Sequence, residues 1–252
     1  MKKKLLTCAL IALQTLPLFS QETVATTVKE EPDNKSSVSF SGSPYDFIFS
    51  WKKKATESHW TGLGFAFSNL NGLGDVDLDL SHSYSVILNV VDYIVPLHPN
   101  WLITTGVGFD WSRYHFRGNR SLLADGGKTH FYTDNEPGRE YRDSRLLLYY
   151  ASIPLVFEYQ TKTSNGQTFF VYGGVEGLVK LYSKSQAKIQ TPEGIKKETY
   201  NGLHLVPLNF RFTARIGFRD FSLFGYYQPL SIFGKGKGPD IHPYGLGLMW
   251  MF

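Results

Sequence analysis

Apolar and polar positions alternate along much of this chain with a period of two. Trp101, Ile103, Thr105, Val107, Phe109 and Trp111 interleave with Leu102, Thr104, Gly106, Gly108, Asp110 and Ser112. That predicts a strand with one apolar face and one small or polar face. Val206, Leu208, Phe210, Phe212, Ala214, Ile216 and Phe218 repeat the pattern against Pro207, Asn209, Arg211, Thr213, Arg215 and Gly217. The chain ends in the same way, with Tyr244, Leu246, Leu248, Trp250 and Phe252 on one face and Pro243, Gly245, Gly247, Met249 and Met251 on the other.

Alternation fits a soluble sandwich as well as a membrane barrel, so length has to separate them. The pattern yields eight strands, near 59–69, 79–95, 101–116, 144–160, 168–183, 204–218, 221–233 and 241–252. Each runs well beyond the roughly 5–6 residues of ordinary soluble strands. The connections alternate between longer and shorter: about 9, 5, 27, 7, 20, 2 and 7 residues. The short ones carry turn chemistry in "HPN" (98–100), "SNG" (164–166) and "RD" (219–220). Short turns at one end and long loops at the other are the asymmetry of outer-membrane barrels. Trp101 and Trp111 stand ten positions apart. At a tilt of about 40° that spacing spans roughly 25 Å, the height of a barrel's apolar band. Trp101, Trp111, Tyr244 and Trp250 are therefore expected at the membrane interface. The predicted fold is all-β: a transmembrane, antiparallel, up-and-down barrel of about eight strands over residues 58–252.

The beginning of the chain reads differently. Lys2, Lys3 and Lys4 precede an apolar stretch from Leu5 to Leu18, with Ser20 before Gln21. This is the pattern of a secretory signal peptide over residues 1–20. Residues 21–57 are expected to be a largely disordered periplasmic segment, with "YDFIFSW" (45–51) a short strand or plug within it. Removing the leader takes three lysines and no acid, so the formal charge falls from +4 to +1. Nothing in that balance argues for nucleic acid. Cys8, the single cysteine, leaves with the leader. After it no apolar run is long enough for a membrane-spanning helix.

"HWTGLGFAFSNL" (59–70), "GVGFDWSRYHF" (106–116), "SIPLVFEYQ" (152–160), "YGGVEGLV" (172–179), "FTARIGF" (212–218) and the final "YGLGLMWMF" form aromatic-glycine patterns. In these the chain resembles the Bacteroidetes outer-membrane β-barrel domain proteins, a group that includes PorT-like proteins. The resemblance covers roughly 59–252. It implies an integral outer-membrane protein of a Gram-negative bacterium and no particular activity. Tyr244, Leu246, Leu248, Trp250 and Phe252 also look like the C-terminal signal read by the β-barrel assembly machinery.

Candidate chemistry is sparse. The phases above turn Asp110, Glu158, Glu176, Lys180, Arg211 and Arg215 into the lumen. Opposite charges there should pair, with Glu158 and Glu176 expected on Arg211 and Arg215. A lumen-filling ion network is the simpler reading and a selectivity ring the other. His82 lies among Ser81, Ser83 and Ser85, and His115 near Ser112. Barrels resembling lipid A-modifying enzymes use such pairs, but on one strand period two puts each immediate serine on the opposite face from its histidine. "GKGKGPD" (234–240) lacks the spacing of a phosphate loop, and "DNEPGRE" (134–140) that of a calcium loop. No catalytic residue, cofactor or metal is assigned. Expected partners are outer-membrane lipid and lipopolysaccharide, the assembly machinery, and a protein at the external loops or the N-terminal segment. The expected role is structural or interactive, with a narrow channel or secretion accessory as the alternative.

Overall fold

The computed structural model describes residues 58–252; the predicted leader and the 21–57 segment lie outside the described residues. Eleven strands follow in order: β1 (Gly62–Asn71), β2 (Tyr84–His98), β3 (Trp101–His115), β4 (Arg120–Asp125), β5 (Lys128–Thr133), β6 (Glu140–Lys162), β7 (Thr168–Thr191), β8 (Gly194–Tyr200), β9 (Leu208–Phe218), β10 (Phe221–Tyr227) and β11 (His242–Met251). Eight of them pair antiparallel in the order β6-β3-β2-β1-β11-β10-β9-β7, and β7 pairs back onto β6. The ring is closed, with no free edge in its wall. Closure satisfies every ladder group without water, which is what a strand in lipid requires.

The remaining three strands decorate the end with the long loops, the external end by the turn asymmetry. β4 and β5 form a hairpin inside the long β3–β6 connection. β7 continues past the ring to pair with β8 over Ser185–Thr191. Much of the predicted 184–203 loop is therefore ladder.

Several predicted strand limits move, each for a local reason. The strand predicted from residue 79 begins at Tyr84, because Asp79 caps a 3-10 turn over Leu80–His82. The strand predicted from 204 begins at Leu208, directly after Pro207, which has no N–H for a ladder. Pro207 is exposed rather than lumenal. Pro229 likewise ends the strand predicted over 221–233 early, at Tyr227.

The faces agree with the alternation. Leu246, Leu248, Trp250 and Phe252 stand out from the wall, with Leu248 and Phe252 67% and 68% exposed, while Met249 and Met251 are buried inside. Trp101 packs against Tyr159 at the short-turn end, their centroids 4.9 Å apart. Register shifts interrupt the ladders at Asn89/Val91, Pro96/His98, Tyr141/Asp143 and Tyr149/Tyr150, and two of them reassign faces that matter here. The shift between Asn89 and Val91 turns Val91 and Tyr93 outward and Asp92 inward. The shift at Tyr149/Tyr150 leaves Leu181 unpaired and turns Tyr182, Lys184 and Lys188 onto the outer wall.

An eight-stranded barrel is just wide enough for side chains to fill, and here large residues from one strand fill the space above glycines of another. A Cβ on Gly217 would lie 2.2 Å from the Phe170 ring, and one on Gly245 2.7 Å from the Tyr226 ring. Two apolar clusters result. The outer one joins strand residues Tyr114, Leu146, Leu148 and Leu178 to loop residues Val76, Leu78, Leu205, Ile232 and Phe233. The inner one contains Trp60, Phe170, Tyr172, Phe224, Met249 and Met251.

Candidate functional site

Between the two clusters lies the ionic layer. Glu176 and Arg211 are direct register partners on β7 and β9. The Arg211 guanidinium holds Glu176 Oε2 through Nε at 2.8 Å and Nη2 at 2.6 Å. Its Nη1 reaches Asp110 Oδ2 on β3 at 2.5 Å. Asp110 Oδ1 accepts the Ser112 hydroxyl at 2.6 Å, and Ser112, Ser85, Ser68 and the Tyr226 hydroxyl continue the chain at 2.7–3.0 Å. The Tyr226 ring also lies 4.7 Å from the Arg211 guanidinium carbon. One cation thus bridges two carboxylates, and the Ser112 hydroxyl takes the remaining oxygen of Asp110. Burying ionic groups is costly, and the mutual bonds of this cluster offset that cost.

The expected Glu158–Arg215 pair does not form, and register gives the reason. Tyr172 is the partner of Glu158 across β6–β7 and of Arg215 across β7–β9, so its ring stands between the charges. Arg215 is enclosed by rings instead: its guanidinium carbon lies 4.5 Å from Tyr172, 5.6 Å from Trp60 and 5.8 Å from Phe224. Its Nη1 donates to the His59 carbonyl at 2.8 Å. Three π faces and one carbonyl take the place of a counter-ion.

Glu158 is 0% exposed and is met by the segment that precedes β1. His59 Nδ1 lies 2.5 Å from Glu158 Oε1, the His59 amide donates to Oε2 at 3.3 Å, and Gln160 Nε2 donates to Oε1 at 2.8 Å. The His59 ring stacks on Phe170 at 4.0 Å, and Asn89 Nδ2 donates to the Trp60 carbonyl at 3.0 Å. Residues 58–60 therefore close the short-turn mouth from inside. The alternation does contain a signal for this. Trp60 is in phase with Gly62, Gly64, Ala66 and Ser68, a face too small to fill its share of a lumen. Lys180, the sixth predicted lumen charge, joins no ion pair among the described residues; its Nζ donates to the Leu205 carbonyl at 3.0 Å under the outer cluster.

The outer rim corrects the reading of His82. In the 3-10 turn, Ser81 Oγ donates to Asp79 Oδ1 at 2.6 Å, His82 Nδ1 lies 2.7 Å from Asp79 Oδ2, and Ser81 Oγ lies 3.0 Å from the same Nδ1. The three residues meet, contrary to a strand reading. Their wiring is still not that of a nucleophile and base. In a triad the serine faces the nitrogen opposite the one the acid holds, whereas here acid and serine share one nitrogen and bond each other. The Ser81 and His82 hydrogen bonds hold the Asp79 carboxyl well below the usual carboxylate range. No group of three or more His, Cys, Asp or Glu among the described residues is placed to hold a metal ion.

Residues 60–232 match the model of a family described as the outer membrane protein beta-barrel domain. The chain belongs to that family. The match covers more than half the chain, from the Trp60 plug through seven of the eight ring strands. An outer-membrane barrel protein is therefore integral to its membrane, with the apolar outer wall against lipid. No curated protein and no solved structure matches the chain.

Proposed function

We propose that this outer-membrane barrel is a non-conducting protein whose work is done at its external surface, as a structural or interaction protein. The observation that carries the reading is the closure of the lumen. The outer cluster seals one mouth with side chains from the loops, Trp60 and Phe170 seal the other, and the Arg211 layer fills the space between. A pore would need a continuous wet path lined by polar groups. The β4–β5 hairpin and the β7–β8 extension offer ordered backbone to a partner.

The same proposal takes the chain to be non-enzymatic, supported by the wiring of Asp79, Ser81 and His82. It places the 1–20 leader as a cleaved export signal, residues 21–57 in the periplasm, and the final strand under the assembly machinery. Kinship with the narrower Bacteroidetes PorT-like group rests on the aromatic-glycine patterns quoted above.

Planar-bilayer recording on the refolded barrel tests it. No discrete conductance steps are expected at moderate voltage. Sustained openings with a defined ion selectivity would overturn the closed-lumen reading and favour the channel.

A further inference from the structure

The outer wall is electrostatically one-sided. On β3, β6 and β7, Trp111, Tyr149 and Tyr182 are register partners facing out. The next outward row toward the external end is Arg113, Leu147 and Lys184. The row after that is His115, Arg145 and Gln186. Beyond it stand Asp143 and Lys188, with Lys197 of β8 opposite Lys188. Each step of two residues climbs about 5 Å at ordinary barrel tilt. The cations therefore lie about 5–15 Å above an aromatic row that sits at interface height.

Five cations share this face with few acids. Asp143 is the hub, at 3.2 Å from both His115 Nε2 and Arg145 Nη1, 3.6 Å from Arg113 and 3.9 Å from Lys188. The last two are looser ion pairs, so this one carboxylate is shared among Arg113, Arg145 and Lys188 and the face keeps a net positive charge. Arg113 leans on the Tyr84 ring at 6.0 Å and Lys184 on the Tyr182 ring at 5.6 Å, which fixes both heads just above the belt. Glu140 stands one row further out, opposite Gln190. The neighbouring Asp79 is already matched by Arg117 at 3.7 Å. Across the barrel, the corresponding rim of β1 and β11 carries Asn69, Asn71, His242 and Tyr244, with Asn69 bonded to the Tyr244 hydroxyl.

We infer that the β3–β6–β7 wall is a binding face for a phosphorylated glycolipid of the outer leaflet. Its acyl chains would lie along the apolar wall below the aromatic row, and its phosphates would meet Arg113, Arg145, Lys184 and Lys188. Charge complementarity and height commit the face to a lipid. A soluble anion would gain nothing from cations aligned above an aromatic belt, whereas a headgroup phosphate is held at that level by its own chains. Arginines at this position can grip phosphate bidentately.

The test uses the full chain refolded into phosphatidylcholine nanodiscs doped with diphosphoryl lipid A or with its dephosphorylated form. Retained lipid is counted by native mass spectrometry. Diphosphoryl lipid A should be retained about tenfold or more over the dephosphorylated form, and millimolar inorganic phosphate should not displace it. The Arg113→Gln/Arg145→Gln/Lys188→Gln variant should lose that preference, while Lys235→Gln/Lys237→Gln, in the β10–β11 loop, should keep it. If the triple variant fails to fold, the comparison of the two lipids on the unaltered chain decides. Equal retention of both lipids, or displacement by free phosphate, would overturn the proposal and leave the cluster an internal ion network. Conductance plays no part in this readout, so a conducting barrel could still pass it.

Discussion

Arg211 on β9 bonds Asp110 on β3, two residues 101 positions apart in sequence, at 2.5 Å across a lumen shared with Glu176. Because this one guanidinium serves two carboxylates, its removal is not symmetrical with theirs. Arg211→Met leaves Asp110 and Glu176 buried without a cation, and breaking a buried pair costs about 3–5 kcal/mol. The unfolding midpoint in lipid vesicles should fall clearly. Adding Glu176→Gln and Asp110→Asn should restore most of it, since uncharged partners need no counter-ion. Water-filled surroundings would make all these variants nearly silent.

The two faces of β9 should tolerate substitution oppositely. Phe212 is 51% exposed and stands midway along the wall, while its neighbour Thr213 is buried inside. Phe212→Arg places a charge near the bilayer midplane and should cost about 2–4 kcal/mol. Thr213→Ser keeps the hydroxyl and should change almost nothing. Urea titration in vesicles reads both, and similar losses at the two sites would contradict the assigned faces.

Trp60 is 1% exposed and lends one of the three rings around Arg215. Trp60→Ala should destabilise by about 3–5 kcal/mol, as for other buried tryptophans. It should open no conductance, because the Arg211 layer and the outer cluster remain. Bilayer recording on this variant asks whether closure depends on the plug alone; steady current would show that it does.

The Asp79 turn supplies a pH signature. Hydrogen bonds from Ser81 and His82 lower this carboxyl's pKa, so the charged form is favoured by folding. That contribution is complete above the ordinary carboxyl range and is lost only as pH falls through the lowered folded value. Across pH 4 the turn should therefore keep its charge while ordinary exposed carboxylates titrate. Carbon-13 NMR of aspartate-labelled protein in lipid checks this, and an Asp79 midpoint near the ordinary value would count against the geometry. Ser81→Ala should raise that midpoint.

Much of this architecture was legible locally. The eight ring strands, their outward faces and the turns at 99–100, 163–167 and 219–220 follow from period two and from turn residues. Arg219 shows how local the last signal is: in a two-residue hairpin it takes a φ of +56°, a left-handed backbone that such tight turns demand. The lumen charges were likewise legible as a set, because alternation fixes which way each side chain points. Who pairs with whom was not, because pairing depends on register and on ring order. Tyr172 separates Glu158 from Arg215 only once β6, β7 and β9 are laid side by side. The His59–Glu158 contact joins segments 99 positions apart with no local pattern to announce it.

Alternation together with strand length and the long–short order of the connections determined the fold class, and alternation alone the outward face, since a side chain's face follows from its own strand's pleat. Only the closed ring decided the rest. It set Arg211 between Asp110 and Glu176, drew residues 58–60 into the mouth, and folded the external loops into a lid. Two bulges also mattered, at Val90 and Leu181, because one extra residue reverses every face after it and nothing in the period predicts where that residue falls. The Leu181 bulge is what turns Lys184 and Lys188 from the lumen to the outer wall, so the basic face exists only in three dimensions.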